Sequence, residues 1–323
     1  MKKNIAIVAG GYSSEYEVSL RSAETVFASI DKEKYNLYKV ILDRGAWTAQ
    51  LPDGQTAPVD RNNFSFRQNG DVISIDFAYI TVHGAPGEDG RLQGYFDMLQ
   101  IPYSSSGVLT SALTFNKYIC NRFLKSQGIL VSDSVRLRRG ELVATDDIIA
   151  GLGLPVFVKP NNSGSSFGIT KVKAAAQLQA AVEKALAEGD EVIIERFVPG
   201  TEVSCGSYRM RGEVVVLPLT EVVTANEFFD YDAKYNGESQ EITPARLSGE
   251  LTGRIQRETA RIYELVGAKG IIRVDYIVTA DGQPVLLEVN TTPGMTAASF
   301  IPQQLRVAGL DIREVITGII ENG

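Results

Sequence analysis

The chain of 323 residues has only two cysteines and one histidine, and it lacks long hydrophobic runs. Cys120 and Cys205 stand in apolar stretches without CxxC spacing, which favours buried free thiols over a disulfide or a zinc site. The apolar run at 5–9 is too short for a signal peptide, and no run approaches the roughly 20 residues of a membrane-spanning helix. We therefore expect a cytoplasmic protein without a membrane partner.

The sequence also has fewer basic than acidic residues. The sequence has 32 Lys and Arg against 39 Asp and Glu, for a net charge of -7. A general nucleic-acid binder needs a basic face to neutralise phosphates, so this class is excluded. Neither common nucleotide-binding fingerprint, GxxxxGK[ST] or GxGxxG, is present, so any nucleotide must be bound in another way.

Hydrophobic patterning predicts an α/β fold that opens with a βαβ unit. An apolar strand at 5–9 ends in two glycines, Ser14 and Glu17 form a capping box for the next helix, and a second strand covers 38–42. A third strand, 77–82, ends at His83-Gly84, where function tends to lie in such sheets. The segment 43–71 between them is polar and carries no motif.

Two further units of α+β character are predicted, with domain boundaries at 1–110, 111–200 and 201–323. The elements are a helix from about 111 to 127, a strand at 154–159, a helix at 174–188, strands at 191–197, 201–210 and 213–223, a helix at 250–266 and a hairpin at 270–278/285–290. The long polar loop 224–244 has the length of an active-site lid.

The hairpin carries the strongest chemical signal. A turn at Asp281-Gly282 puts Asp275 opposite Glu288 and Arg273 opposite Asn290, all on one face. Opposed carboxylates repel each other, and two carboxylates with an amide oxygen are ligands that suit Mg²⁺ with bound phosphate. The pattern predicts a magnesium site, and the alternative is a set of solvated strand residues.

A second signal is the loop after Lys159. The lysine ends a predicted strand, and the sequence 160–168 (PNNSGSSFG) supplies amides and hydroxyls that could fold over phosphates. An ordinary surface loop has a similar composition, so this motif supports a nucleotide site only together with others.

Taken in order, these motifs resemble those of ATP-grasp enzymes, and within them those of the D-alanine:D-alanine ligases. The motifs are 10–19 (GGYSSEYEVS), 83–84 (HG), 87–90 (GEDG), 159–168, 195–198 (ERFV), 230–235 (DYDAKY), Asp275 and 288–296 (EVNTTPGMT). The resemblance covers nearly the whole chain and implies three-unit ATP-grasp architecture. The long segment 43–71 is the main departure.

The resemblance implies that ATP lies between the second and third units. The nucleotide-binding positions it indicates are Lys117, Lys159, Ser165, Glu195, Val198 and Glu202. Asp275, Glu288 and Asn290 would hold two Mg²⁺ ions, which Mn²⁺ could replace. On sequence alone, Lys117 is an ordinary helix lysine and Glu202 an ordinary strand carboxylate.

The resemblance also implies the amino-acid sites. Glu15, Ser166 and Tyr235 would form a hydrogen-bonded chain near the first D-alanine, with His83 beside it, and Lys234 and Ser299 would bind the second carboxylate. Arg273 and the amide of Gly294 would stabilise the oxyanion. A first-turn carboxylate such as Glu15 also gains from the helix dipole, and a lone histidine is often structural.

The implied reaction is phosphorylation of one D-alanine by ATP, followed by attack of a second D-alanine on the acyl phosphate. It would serve peptidoglycan precursor synthesis in a homodimer. Tyr235 is typical of ligases that form the dipeptide rather than the D-alanine:D-lactate ester. The alternatives are another ATP-grasp carboxylate–amine ligase, a D-alanine:D-lactate ligase, and a nucleotide-binding regulator without activity.

Overall fold

A computed structural model of the chain describes residues 2–162, 164, 168–224 and 239–322. These residues form two five-stranded sheets, a four-stranded sheet and a small two-stranded ribbon, with helices packed against them. The predicted α/β class is confirmed.

The first sheet is built around a parallel centre. Its region contains β1 Lys3–Gly10, α1 Tyr16–Ser29, β2 Tyr35–Leu42, β3 Trp47–Gln50, β4 Thr56–Pro58, β5 Phe66–Gln68, β6 Asp71–Ile73, β7 Phe77–Ile80 and α2 Arg91–Leu99. The strand order is β4-β3-β2-β1-β7, and β1 runs parallel to both β2 and β7. Their carboxyl ends therefore meet at one edge, as the βαβ interpretation predicts.

One local prediction in this unit was wrong. Helix α1 begins at Tyr16, with Glu15 at its N-cap and without a side-chain cap, so Ser14 and Glu17 form no capping box. The hydroxyl of Ser13 instead accepts a hydrogen bond from the Glu15 amide at 3.2 Å and donates one to the His83 carbonyl at 2.7 Å. The polar segment 43–71 contains β3, β4 and β5, because its few apolar side chains, such as Phe64 and Phe66, are buried in the core of this sheet.

The second sheet is antiparallel. Its region contains α3 Val108–Phe115, α4 Lys117–Ser126, β8 Ser134–Arg138, α5 Thr145–Leu152, β9 Val156–Pro160, β10 Thr170–Val172, a 3-10 turn Ala175–Gln177, α6 Leu178–Leu186 and β11 Glu191–Arg196. The order is β10-β9-β11-β8. The helix predicted from 111 to 127 is two helices, because Asn116 is extended and its side chain caps α4 at the Ile119 amide, 3.0 Å away.

The third sheet carries the predicted hairpin. Its region contains β12 Thr201–Met210, β13 Glu213–Thr224, β14 Ser239–Ile242, α7 Gly249–Leu265, β15 Ile271–Val278, β16 Pro284–Asn290, α8 Phe300–Val307 and α9 Ile312–Asn322. The order is β14-β13-β12-β15-β16. Asp275 pairs with Glu288 and Arg273 with Asn290, so the predicted register is confirmed at the site, with an irregularity immediately after Asp275.

Both cysteines are buried free thiols, as predicted, and burial raises the pKa of each to about 12. Cys120 and Cys205 lie in one apolar cluster that joins α4, α7 and the third sheet. Within the described ranges, none of the helices is both long and apolar enough to cross a bilayer.

Candidate active site

The acidic hairpin forms the centre of the candidate site. Arg273 donates two hydrogen bonds of 2.8 Å to the two carboxylate oxygens of Asp275, and Asn290 donates to Asp275 at 3.0 Å. Ser204, opposite Asp275 on β12, donates at 2.6 Å. Lys117 Nζ lies 3.2 Å from Glu288 Oε2. Each carboxylate of the pair is therefore matched by its own cation, which offsets the repulsion that opposed strand carboxylates would have.

Lys159 lies beside this cluster at the end of β9. Its Nζ is 2.7 Å from Glu195 Oε2, and both side chains are buried. Burial alone would lower the pKa of Lys159, but the nearby negative charges of Glu195, Glu288 and Glu202 raise it above its ordinary value. Lys159 therefore stays positively charged, as a phosphate-binding lysine must.

The carboxylate of Glu195 is held from two sides, since Asn121 donates to it at 3.2 Å. Its side chain thus orients Lys159, whereas the resemblance predicts it near adenine. Val198 follows the end of β11 and is half-buried, and Glu202 lies near the start of β12, close enough to act on Lys159. The structure brings four predicted nucleotide residues to one region, namely Lys117, Lys159, Glu195 and Glu202.

The loop after Lys159 reaches the N-terminal unit at Glu15. A Cβ added at Gly164 would lie only 2.3 Å from Glu15 Oε2, so the backbone at Gly164 lies against this carboxylate, and a larger residue would displace the Glu15 side chain. Glu15 is itself buried at the N-terminus of α1. The predicted proximity of Glu15 to the loop is thus present at Gly164, whereas Ser165 and Ser166 lie outside the described residues.

Gly294 and Ser299 are in contact on the far side of the cluster. A Cβ at Gly294 would approach Ser299 Oγ to 2.8 Å, so a larger residue would displace that hydroxyl. Ser299 in turn accepts from the amide of Thr296 at 3.1 Å and precedes α8. Lys234, Tyr235 and most of the predicted lid 224–244 lie outside the described residues.

His83 is buried at the end of the β7 region with both ring nitrogens bonded to protein. Nδ1 lies 2.9 Å from the Thr292 carbonyl, and because a carbonyl oxygen can only accept, Nδ1 carries the proton. Nε2 lies 3.2 Å from the hydroxyl of Ser22. Burial lowers the pKa of His83, so the ring is neutral and Nε2 accepts from Ser22.

Four contributing residues were missed by sequence reasoning: Ser22, Glu88, Asn121 and Ser204. Glu88 is buried, accepts from the Gly84 amide at 2.7 Å, and follows His83 closely. Only Ser204 had a usable signal, since alignment of strand 201–210 beside 270–278 would have put it opposite Asp275. The other three depend on contacts between distant segments.

The fold combines three antiparallel or mixed sheets with a lysine-bearing strand, a glycine loop and an acidic hairpin. These features together define an ATP-grasp ligase. Family models for the D-ala D-ala ligase N-terminus and C-terminus match residues 4–106 and 123–321. The chain belongs to the D-alanine–D-alanine ligase family.

Relatives and solved structures support this assignment over the full length. The chain is 63% identical to the D-alanine–D-alanine ligase of Parabacteroides distasonis, across 100% of this chain and 98% of that protein. The VanG D-Ala:D-Ser ligase of Enterococcus faecalis has a TM-score of 0.89 at 35% identity and covers 99% of both chains. The D-alanine–D-alanine ligase of Bacillus anthracis complexed with ATP has a TM-score of 0.79 at 30% identity, covering 99% of this chain and 96% of that one.

Proposed function

We propose that the protein joins two D-alanines to D-alanyl-D-alanine through a D-alanyl phosphate, with release of ADP and phosphate. The observation that carries the proposal is the single cluster in which Lys117, Lys159 and Arg273 face the carboxylates of Asp275 and Glu288. Phosphoryl transfer needs fixed cations around the moving charge, and this cluster supplies them. Family membership supports the choice of ATP and D-alanine.

The nucleotide half of the site follows from the same cluster. Lys117 and Lys159 bind the phosphates of ATP, with Ser165 in the covering loop, and Glu195, Val198 and Glu202 complete the nucleotide pocket. Asp275, Glu288 and Asn290 offer carboxylate and amide oxygens, a donor set that fits Mg²⁺ or Mn²⁺. Two such ions would neutralise charge on the phosphates.

The amino-acid half lies between the N-terminal unit and the end of the hairpin. Glu15 binds the ammonium group of the first D-alanine in a chain with Ser166 and Tyr235, and the neutral ring of His83 lies beside it. Ser299 and Lys234 bind the carboxylate of the second D-alanine. Arg273 and the Gly294 amide stabilise the tetrahedral oxyanion.

The proposal also covers the domains, the location and the oligomeric state of the protein. We propose domains at 1–110, 111–200 and 201–323, a lid at 224–244, and a cytoplasmic homodimer that acts in peptidoglycan precursor synthesis. Support for these points comes from the family resemblance, and for the domains also from the three separate sheets.

Phosphate release from ATP and Mg²⁺, measured against added D-alanine, tests the activity. We expect release that depends on D-alanine, with D-alanyl-D-alanine identified by mass spectrometry, and none with L-alanine as the matched control. A purified, folded protein that releases no phosphate with D-alanine would refute the proposal.

The identity of the second substrate is tested in the same assay, because one similar structure is a D-Ala:D-Ser ligase. Competition of D-alanine with D-serine and with D-lactate, read from product masses, identifies the nucleophile. We expect the D-alanine dipeptide to dominate, and a dominant D-alanyl-D-serine or ester product would move the assignment to the alternative ligase.

The proposed role of Tyr235 is tested with Tyr235→Phe in the same competition. We expect this variant to keep ATP binding, lose part of its dipeptide activity and gain D-lactate ester, most at low pH, where the amine of D-alanine is protonated. An unchanged dipeptide-to-ester ratio would remove Tyr235 from the selectivity of the enzyme.

A further inference from the structure

The carbonyl group of Thr292 is held by one loop of the N-terminal unit. His83 Nδ1 donates to the Thr292 carbonyl at 2.9 Å, and Glu88 accepts the amide of Gly84, the residue next to His83, at 2.7 Å. His83 and Glu88 are the ends of the same loop, 83–88, at the edge where β7 finishes. This loop therefore fixes a backbone segment about 200 residues away along the chain.

A second contact fixes the same segment on the other side of Gly294. The amide of Met295 donates to Ser22 Oγ at 3.2 Å, and the same hydroxyl donates to His83 Nε2, also at 3.2 Å. Thr292 and Met295 flank the Pro293-Gly294 dipeptide. Anchors thus lie on both sides of the amide that the proposed reaction uses as an oxyanion donor.

The loop is rigid enough to serve as an anchor. Gly84 donates its amide to Glu88 Oε2 at 2.7 Å, which closes the loop on itself. A Cβ at Gly87 would lie 2.2 Å from the Val82 carbonyl oxygen, so the backbone approaches too closely for any side chain there. His83, Glu88 and Ser22 are all buried, so water does not replace these hydrogen bonds when one is removed.

We propose that Glu88 is a positioning residue that closes loop 83–88 through the Gly84 amide, so that His83, together with Ser22, holds the Thr292–Met295 segment and sets the direction of the Gly294 amide. The inference rests on the proposed function, because it assigns the segment to oxyanion stabilisation. Glu88 acts by accepting the backbone hydrogen bond of Gly84. A donor that is displaced by a fraction of an ångström to 1 Å loses much of its effect on a transition state.

The test compares Glu88→Met, which has similar length but cannot accept this bond, with Glu88→Gln, which keeps one acceptor oxygen. Glu33→Gln, an exposed position after α1, is the matched control. We expect kcat of Glu88→Met to fall about 10- to 100-fold with unchanged ATP binding by calorimetry. Glu88→Gln should recover most of kcat, and Glu33→Gln should match the wild type.

Hydrogen–deuterium exchange gives a readout that does not depend on activity. We expect faster exchange in the peptide covering 291–296 for Glu88→Met, and unchanged exchange in β1. If Glu88→Met does not fold, Ser22→Ala, which removes the Met295 anchor and the hydrogen bond to His83 Nε2, should give the same pattern of faster local exchange and lower kcat.

Each outcome has one interpretation. A kcat within about twofold of wild type together with unchanged exchange at 291–296 overturns the inference. Equal loss of kcat in Glu88→Met and Glu88→Gln without local exchange overturns it too, because the carboxyl group would then act by another route. A wild type without D-alanine-dependent phosphate release refutes the proposed function, whereas exchange at 291–296 still decides whether the anchor exists.

Discussion

The acidic hairpin and the loop 83–88 hold carboxyl groups in opposite ways. In the hairpin, Asp275 is paired with Arg273 and Glu288 with Lys117, so charge is balanced by charge. In the loop, Glu88 accepts a hydrogen bond from the Gly84 amide, and burial, with the nearby negative charge of Glu15, raises its pKa to about 8. One region pairs its carboxylates with cations, and burial in the other favours a neutral carboxyl group.

The carboxyl groups of the two regions have different roles, one in the reaction and one in positioning the backbone. In the proposed reaction, the hard oxygens of the hairpin carboxylates would hold a divalent cation, and Lys117 and Arg273 would then be available to other negative groups. A neutral, amide-bonded carboxyl group has little to offer a metal but fixes a backbone segment at low electrostatic cost. We therefore expect substitutions in the hairpin to affect the reaction most, and those in the loop to affect geometry and stability.

The largest effect is expected for the hairpin. Asp275→Asn and Glu288→Gln should each lower D-alanine-dependent phosphate release by about 1,000-fold, because charge stabilisation by a metal is worth several kcal/mol. Circular dichroism should show an intact fold. A titration with Mg²⁺ measures the increased metal requirement.

Ser204→Ala is the matched control for the hairpin, since it removes the 2.6 Å hydrogen bond to Asp275 but keeps the carboxylate. Its rate should fall far less than that of Asp275→Asn. Wild-type rates for both carboxylate variants at ordinary Mg²⁺ would contradict the metal assignment. They would also contradict the contrast between the hairpin and the loop 83–88.

A second, smaller effect concerns Lys159. Lys159→Met should weaken ATP binding by about 10- to 100-fold, as expected for one lost phosphate contact, and D-alanine binding much less. It should also destabilise the fold by about 3 kcal/mol, because Glu195 is left buried without its partner. Calorimetry and thermal unfolding measure the two effects.

The double variant Lys159→Met/Glu195→Leu distinguishes those effects. Replacement of a buried ion pair by apolar residues is often neutral, so stability should return while ATP binding stays weak. Lys184→Ala, on the exposed side of α6, serves as the control for loss of a lysine. Unchanged ATP affinity in Lys159→Met would remove this lysine from the nucleotide site.

The hairpin was predictable from sequence and the loop was not, for a physical reason. Strand alternation and a turn near Asp281-Gly282 indicate which side chains share a face, and Asp275 does pair with Glu288, although the pairs nearer the turn are shifted by one residue. The role of loop 83–88 depends on the contact of His83 with Thr292, which no local pattern encodes. The break at Asn116 was missed because apolar spacing continues through it, although its side chain caps the next helix.

The family resemblance extended the prediction to residues that periodicity could not find. Lys117 and Glu202 look ordinary in sequence, yet Lys117 pairs with Glu288 and the charge of Glu202 acts on Lys159. Sequence assigned His83 to the substrate site, but its hydrogen bonds to Ser22 and Thr292 join distant segments. Long-range packing determines which polar group each buried side chain meets, and a single sequence does not carry that information.

The smallest effect is expected in the pH dependence of stability. Glu88 has a pKa of about 8 in the folded protein against an ordinary value of 4.5, so the folded state binds more protons between these values. Stability from this group is complete below the lower value and is lost as the pH rises toward the higher one. His83, whose pKa is lowered by burial, contributes in the opposite direction, but it is common to wild type and Glu88→Gln and cancels in their difference. We therefore expect wild type to lose at least about 1 kcal/mol of stability relative to Glu88→Gln between about pH 5.5 and about pH 8.

Trp47, the only tryptophan, lies in β3 of the same unit, so its fluorescence during urea unfolding reports on the domain that contains Glu88. A constant difference across this range would mean that Glu88 is ionised in the folded protein, and the contrast between the hairpin and the loop would then be one of partners alone.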